Sequence, residues 1–209
     1  MRNVNSWKMK KLGLDFYRRG NVLEIAEDLL GKLLITVKDR KFTSGRIVEC
    51  EAYAGVMDMA SHAAGGKITN RNKVMYEEGG LAYVYLCYGI HHLFNVVTHS
   101  RNIPHAILIR GIEPVEGVRY MLRRTGKKAA DNTLTRGPGN VSKALGISTA
   151  DSGISLESKK IFLADDGFVI DKKSVATSPR IGVDYAGADA LLPYRYYVGG
   201  NPYVSGKPR

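Results

Sequence analysis

Gly45 to Tyr53, GRIVECEAY, carries the pattern that decides the fold class. It alternates with period two: Val48, Cys50 and Ala52 fall on one face, and Glu49, Glu51 and Tyr53 on the other. Two carboxylates and an aromatic ring thus point the same way from an otherwise apolar strand. Carboxylates on an otherwise apolar strand need a partner or a chemical task.

Working outward, the flanking segments fit that sheet. Asn21 is placed to cap a helix through Val22, Leu23, Ile25, Ala26, Leu29 and Leu30, with Gly31 as its stop. Leu33 to Val37 reads as a strand, followed by the charged turn Lys38 to Lys41. Further strands are predicted over 81–88, 93–98, 105–112, 161–164 and 168–170, and helices over 115–124 and 141–145. The strands follow one another as hairpins instead of alternating with helices. The predicted class is therefore α+β: a single compact domain with a curved, mostly antiparallel sheet flanked by helices. Residues 1–12 read as a basic N-terminal arm, 13–204 as the domain and 205–209 as a C-terminal tail.

Composition limits the partners. The 209 residues carry 31 Lys and Arg against 20 Asp and Glu, a net charge of +11 that favours a polyanion, meaning nucleic acid or an anionic membrane surface. No stretch approaches a transmembrane span, and the N-terminus lacks the apolar core of a secretory signal. Two cysteines, Cys50 and Cys87, make no disulfide framework and have no metal-binding spacing; both read as reduced, buried thiols. An intracellular setting follows, cytoplasm and nucleoid in a bacterium or the nucleus in a eukaryote.

Three groups of residues carry chemistry. Glu51 is a candidate general base, although a strand glutamate is more often an ion-pair partner. Arg110 lies inside the apolar run AILIRGI and, once buried, must meet an anion, so a Glu–Arg pair could hold a water between them. Tyr83, Tyr85 and Tyr88 crowd one strand that ends at Gly89. Rings there can stack on bases or, from the turn, wedge into a duplex, whereas Tyr83 reads as core packing. Asp58 and His62 are spaced for a metal on a helix, but no second pair completes a site, so no metal and no cofactor are expected. Phosphate-loop, dinucleotide and nucleophile-elbow motifs are absent, and Cys50 on an apolar face would be inert.

Taken together, the ordered blocks RIVECEAYAGVMDMASHAAGG, TNRNKVMY, LAYVYLCYG, FNVV, ILIRGIEPVEG, RGPGNVSKALGI and SPRIGVDYAG closely resemble the alkyladenine (3-methyladenine) DNA glycosylase family over roughly residues 14–204. The resemblance implies a monofunctional glycosylase. Such an enzyme flips a damaged purine from double-stranded DNA and hydrolyses its N-glycosidic bond, which starts base excision repair. It implies Glu51 as the base that activates water, with Arg110 helping to hold that water. It implies Tyr53, His62 and Tyr85 as pocket walls, Asn95 as a screen against guanine, and Tyr88 as the wedge. The Arg180, Gly182 and Val183 segment is implied as a loop near the flipped nucleotide and its phosphate. A monomer without lyase activity is expected, because no lysine lies in the core strands. The rival reading is a catalytically silent protein that binds damaged duplex on the same scaffold. One departure is His91-His92 beside the wedge, where apolar or aromatic residues are expected.

Overall fold

The computed structural model describes residues 9–206, so most of the expected N-terminal arm, residues 1–8, lies outside the described residues. Nine strands form one antiparallel sheet: β1 (Lys10–Lys11), β2 (Leu33–Lys38), β3 (Lys41–Ala54), β4 (Ala82–Cys87), β5 (His91–Thr98), β6 (His105–Glu116), β7 (Ile161–Asp165), β8 (Val175–Ser178) and β9 (Arg195–Val198). The main path runs β1-β7-β2-β3-β6-β5-β4. β3 is long enough to use one edge twice: Lys41 to Arg46 pair with β2, and Glu49 to Glu51 pair with β9, while β6 occupies the other edge. The four helices are α1 (Leu14–Tyr17), α2 (Val22–Leu29), α3 (Val118–Thr125) and α4 (Pro138–Leu145).

Helix α2 forms for the reason its sequence gives. The Asn21 side chain accepts from the Leu23 and Glu24 amides, and Val22, Ile25, Ala26 and Leu29 are buried against Ile47, Cys50, Ala52, Ile107 and Ile109 of β3 and β6. Gly31, at φ +85°, turns the chain into β2. Helices α3 and α4 extend the same core layer through Met121, Val141, Ala144 and Leu145. The opposite face of β3, β6, β5 and β4 is left for other residues.

Several expectations need correcting. The alternation of β3 is broken by a bulge: Ile47 pairs with Ile112 and Glu49 with Gly111, so Val48 is the extra residue. Ile47 therefore joins the core beside Cys50 and Ala52, and Val48, predicted on their face, lines a shallow groove with Arg46 and Phe168. The second predicted helix starts late, at Val118 instead of Val115, because β6 continues to Glu116 before Gly117 turns at φ +73°. Pro114 is tolerated in that strand because β5 pairs with β6 only as far as Leu108, which leaves an open edge. Residues 168–170 form no strand. Lys10 and Lys11 pair with Asp165 and Ala164, and Ser205 is buried at 7% exposure.

Candidate active site

The helix-free face carries a row of directly opposed residues across four strands: Glu51 on β3, Leu108 on β6, Asn95 on β5 and Tyr83 on β4. Adjacent strands lie about 4.8 Å apart, so this row spans roughly 14 Å. One position along, Tyr53, Ala106 and Val97 form a second row. A cavity of about 670 Å³ opens over these rows, walled by Tyr53, His62, Tyr83, Tyr85, Asn95, Arg110 and the 181–183 backbone.

Glu49 and Glu51 lie behind the floor with no exposed surface. Glu49 receives Arg195 Nε at 2.7 Å, Arg110 Nε at 3.2 Å, the Ser205 amide at 2.6 Å and the Ser205 hydroxyl at 2.9 Å. Gly111 makes room for it, since a Cβ there would meet the Tyr203 carbonyl at 2.6 Å and the Glu49 side chain at 3.2 Å. Glu51 Oε1 accepts the Ile181 amide at 2.8 Å and pairs with Arg110 Nη1 at 3.3 Å. Its Oε2 accepts only the Tyr53 hydroxyl, at 2.9 Å, among the described residues. Arg110 thus bridges both acids. Burial works against its charge, but Glu51 and then Glu49 outweigh that and hold it protonated. Burial, followed by the charge of Glu51, pushes the Tyr53 phenol well above its ordinary value, so Tyr53 remains a neutral donor.

Tyr85, His62 and Tyr83 pack together as one aromatic wall of the cavity. Tyr85 meets His62 edge to face at 4.5 Å and lies 5.5 Å from Tyr83. His62 Nδ1 is 2.8 Å from the Tyr83 hydroxyl. Burial among these rings, with the charge of Arg71 adding to it, lowers His62 to about 4, so its imidazole is neutral near pH 7. Tyr83, expected as core packing, is buried at 1% exposure, yet its hydroxyl also belongs to this wall. Asn95 Nδ2 donates to the Tyr83 and Leu93 carbonyls, both at 3.2 Å. Those carbonyls fix the amide orientation and leave Oδ1 as the atom of that amide not spent on them.

Tyr88 occupies the tip of the β4–β5 hairpin and is 90% exposed. Tyr88 and Gly89 have φ of +50° and +72°, and the Ile90 amide returns to the Cys87 carbonyl at 3.1 Å, so a tight turn holds the ring out from the protein. Leu86 and Ile90 flank it and are also exposed. The neighbouring histidines have local roles. His91 packs on Gly139, where a Cβ would meet its ring at 2.9 Å, and His92 Nδ1 accepts the Thr149 amide at 3.2 Å.

Arg180 does not reach the surface as expected. Its side chain is fully enclosed, paired with both oxygens of Asp58 at 2.5 and 2.8 Å, and bonded to the carbonyls of Ala52 and Asp189. It also lies over the Tyr53 ring, 4.9 Å from its centroid. An arginine desolvated this far keeps its charge only by pairing, so Asp58 holds it as a brace behind the wall. Gly182 and Val183 do line the cavity, and Ile181 contributes its amide to Glu51. Asp58 is accordingly unavailable as a metal ligand, and no cluster of three or more His, Cys, Asp or Glu suited to a metal exists among the described residues. Cys50 donates to the Ala26 carbonyl in the core, where burial raises its thiol well above the ordinary value. No helix of the described residues is long and apolar enough to cross a membrane.

Arg195, Ser205 and Arg71 were not anticipated from the sequence, whereas Ile181 lies inside the Arg180 to Val183 segment that the resemblance implied. Arg195 sits in PYRYYV with the same arginine-among-apolar signal that marked Arg110, and that signal would have found it. The others act through backbone or surface geometry and leave no local signal.

Comparison with known proteins is consistent along the whole chain. Residues 15–202 match the family model described as methylpurine-DNA glycosylase. A Clostridium perfringens (strain 13 / Type A) protein is 38% identical over 205 residues, covering 94% of this chain and 100% of that protein. One from Bacillus cereus (strain G9842) is 42% identical over 200 residues, covering 92% and 97%. One from Desulfitobacterium hafniense (strain Y51) is 40% identical over 206 residues, covering 95% and 100%. All three are named "Putative 3-methyladenine DNA glycosylase".

Proposed function

The chain belongs to the methylpurine-DNA glycosylase family, and we propose that it flips alkylated or deaminated purines out of duplex DNA and hydrolyses their N-glycosidic bond with a water activated by Glu51. The observation that carries this reading is the unequal use of the two buried acids. Glu49 takes three of its four donors on Oε1, and two of its partners, Arg195 and Ser205, do not line the cavity, whereas Glu51 is bonded to Arg110, Ile181 and, through Oε2 alone, Tyr53, which all line it. A water there would sit beside Tyr53, with Arg110 close behind.

In the proposed reaction Tyr53 and Tyr85 sandwich the flipped base, His62 closes the pocket edge, and Asn95 excludes guanine by clashing with its exocyclic amine. Glu51 Oε2 takes a proton from water as the oxygen attacks C1′ of the deoxyribose. The C1′–N9 bond breaks, and its electron pair leaves with the purine. On a purine already cationic from alkylation, that pair neutralises the ring, so no acid is needed. Tyr88 fills the space left in the duplex, offsetting the few kcal/mol that extrusion costs. Gly182 and Val183 approach the flipped nucleotide through backbone. Among the described residues no lysine lines the cavity, which supports water as the nucleophile and a monofunctional enzyme.

The test is Glu51→Gln, assayed on duplexes carrying one 3-methyladenine, 7-methylguanine or hypoxanthine. Base release should vanish while duplex binding persists; full activity would remove the mechanism. Absence of release by the wild-type protein from every lesion would favour the silent-binder reading. Borohydride trapping of a protein–DNA adduct would overturn the monofunctional assignment.

A further inference from the structure

The loop before β4 places a guanidinium at the cavity mouth that the reaction above does not use. Arg71 is exposed, lines the cavity, and stacks with its Cζ 4.8 Å from the Tyr85 centroid. Its Nη2 donates to the Leu86 carbonyl at 3.5 Å, and its charge acts on His62, whose Nδ1 is 2.8 Å from the Tyr83 hydroxyl. The loop is held rigidly. Asn72 is buried at 1% exposure, and its Nδ2 donates to the His62 carbonyl at 2.7 Å and the Lys67 carbonyl at 2.9 Å, while its Oδ1 accepts the Thr69 amide at 2.7 Å. Arg71 and His62 are therefore fixed on one frame. No carboxylate lies within 4 Å of Arg71 among the described residues, in contrast to Arg110, Arg180 and Arg195, which all pair with acids.

We propose that Arg71 is a positioning and phosphate-contact residue of the base pocket: it binds a backbone phosphate beside the flipped nucleotide and aligns the Tyr85–Tyr83–His62 wall against the base. The inference rests on the proposed base-flipping reading. An exposed, uncompensated guanidinium at the rim meets a phosphodiester when a nucleotide enters, and the fork suits phosphate oxygens. The same planar group stacks on the outer side of Tyr85, so a bound phosphate restrains the ring that must stack on the base.

The experiment compares wild type, Arg71→Lys and Arg71→Gln as full chains. Arg71 is exposed, so both variants should fold with unchanged melting temperature. For Arg71→Gln the slope of log K against log salt for lesion duplex should fall by about 1, as expected for one lost phosphate contact. Arg71→Lys should keep that slope. Single-turnover excision at saturating enzyme should drop roughly tenfold in both, since lysine restores the charge but not the stacked fork. The His62 imidazole resonance of Arg71→Gln should titrate at higher pH than in wild type. An unchanged salt slope together with an unchanged excision rate in Arg71→Gln overturns the proposal. If wild type releases no base from any lesion, the functional reading fails instead. The salt slope and the His62 titration still decide the role of Arg71 in that event.

Discussion

Glu49 and Glu51 lie two residues apart on β3, equally buried and both bonded to Arg110, yet their surroundings differ. Around Glu49 four donors converge, two from arginines and two from Ser205, three of them on Oε1 and the Ser205 amide on Oε2. Around Glu51 there are a tyrosine hydroxyl, one backbone amide and the far nitrogen of Arg110. The first arrangement is a closed ion cluster, and the second opens onto the cavity wall through Tyr53, Ile181 and Arg110, which all line it. A buried acid acquires a chemical role where its partners face the substrate space.

Breaking the open end should have the largest effect. Glu51→Gln keeps the shape and removes the base, so excision should fall by about 10²- to 10⁴-fold in single-turnover assays, with little change in duplex affinity. Breaking the closed end should instead act on folding. Glu49→Ala leaves Arg110 and Arg195 buried without their shared anion, which costs about 3–5 kcal/mol in urea or guanidinium unfolding. A Glu49→Ala protein as stable as wild type would show that the contrast is wrong.

The wedge tests the open end from outside. Tyr88 is almost wholly exposed, so Tyr88→Ala should leave the melting temperature unchanged. Lesion-duplex binding should weaken by about 1–3 kcal/mol, the size of one stacking contact. Unchanged affinity in a filter or anisotropy assay would remove Tyr88 from that role.

The smallest effect is a pH dependence. Burial lowers both His62 and His105 from 6.5 to about 4, with Arg71 and His99 respectively adding to the shift. The unfolded chain binds those protons at a higher pH than the folded one, so the stabilisation is complete above pH 6.5 and is lost as pH falls towards 4. His62 faces the open cavity, where water screens its share, so His105 should carry more of the slope. Unfolding midpoints measured from pH 7.5 to 4 should decline in that window, and His105→Gln should flatten the curve. A flat wild-type profile would contradict the burial of these rings.

The fold was legible where the signals are local. Asn21, the apolar spacing of α2, the strand alternation and the Tyr88-Gly89 turn all act within a few residues, and each appears near its predicted place. The bulge at Val48 and the extension of β6 to Glu116 were not legible, because pairing with a distant strand sets both. Arg110 and Arg180 show the same limit at the site. Both read as arginines near a nucleotide; Asp58, 122 residues from Arg180, turns one of them into a brace.

From the sequence alone came a +11 chain, an α+β sheet and a strand presenting Glu49, Glu51 and Tyr53 on one face. Motif order added the family resemblance. Tertiary structure alone decided which acid is tied to the cavity wall, because the donors that distinguish them arrive from 130 to 156 residues away: the Ile181 amide, Arg195 and Ser205. Periodicity fixes which way a side chain points. Only the packed chain fixes how many of its lone pairs are already in use.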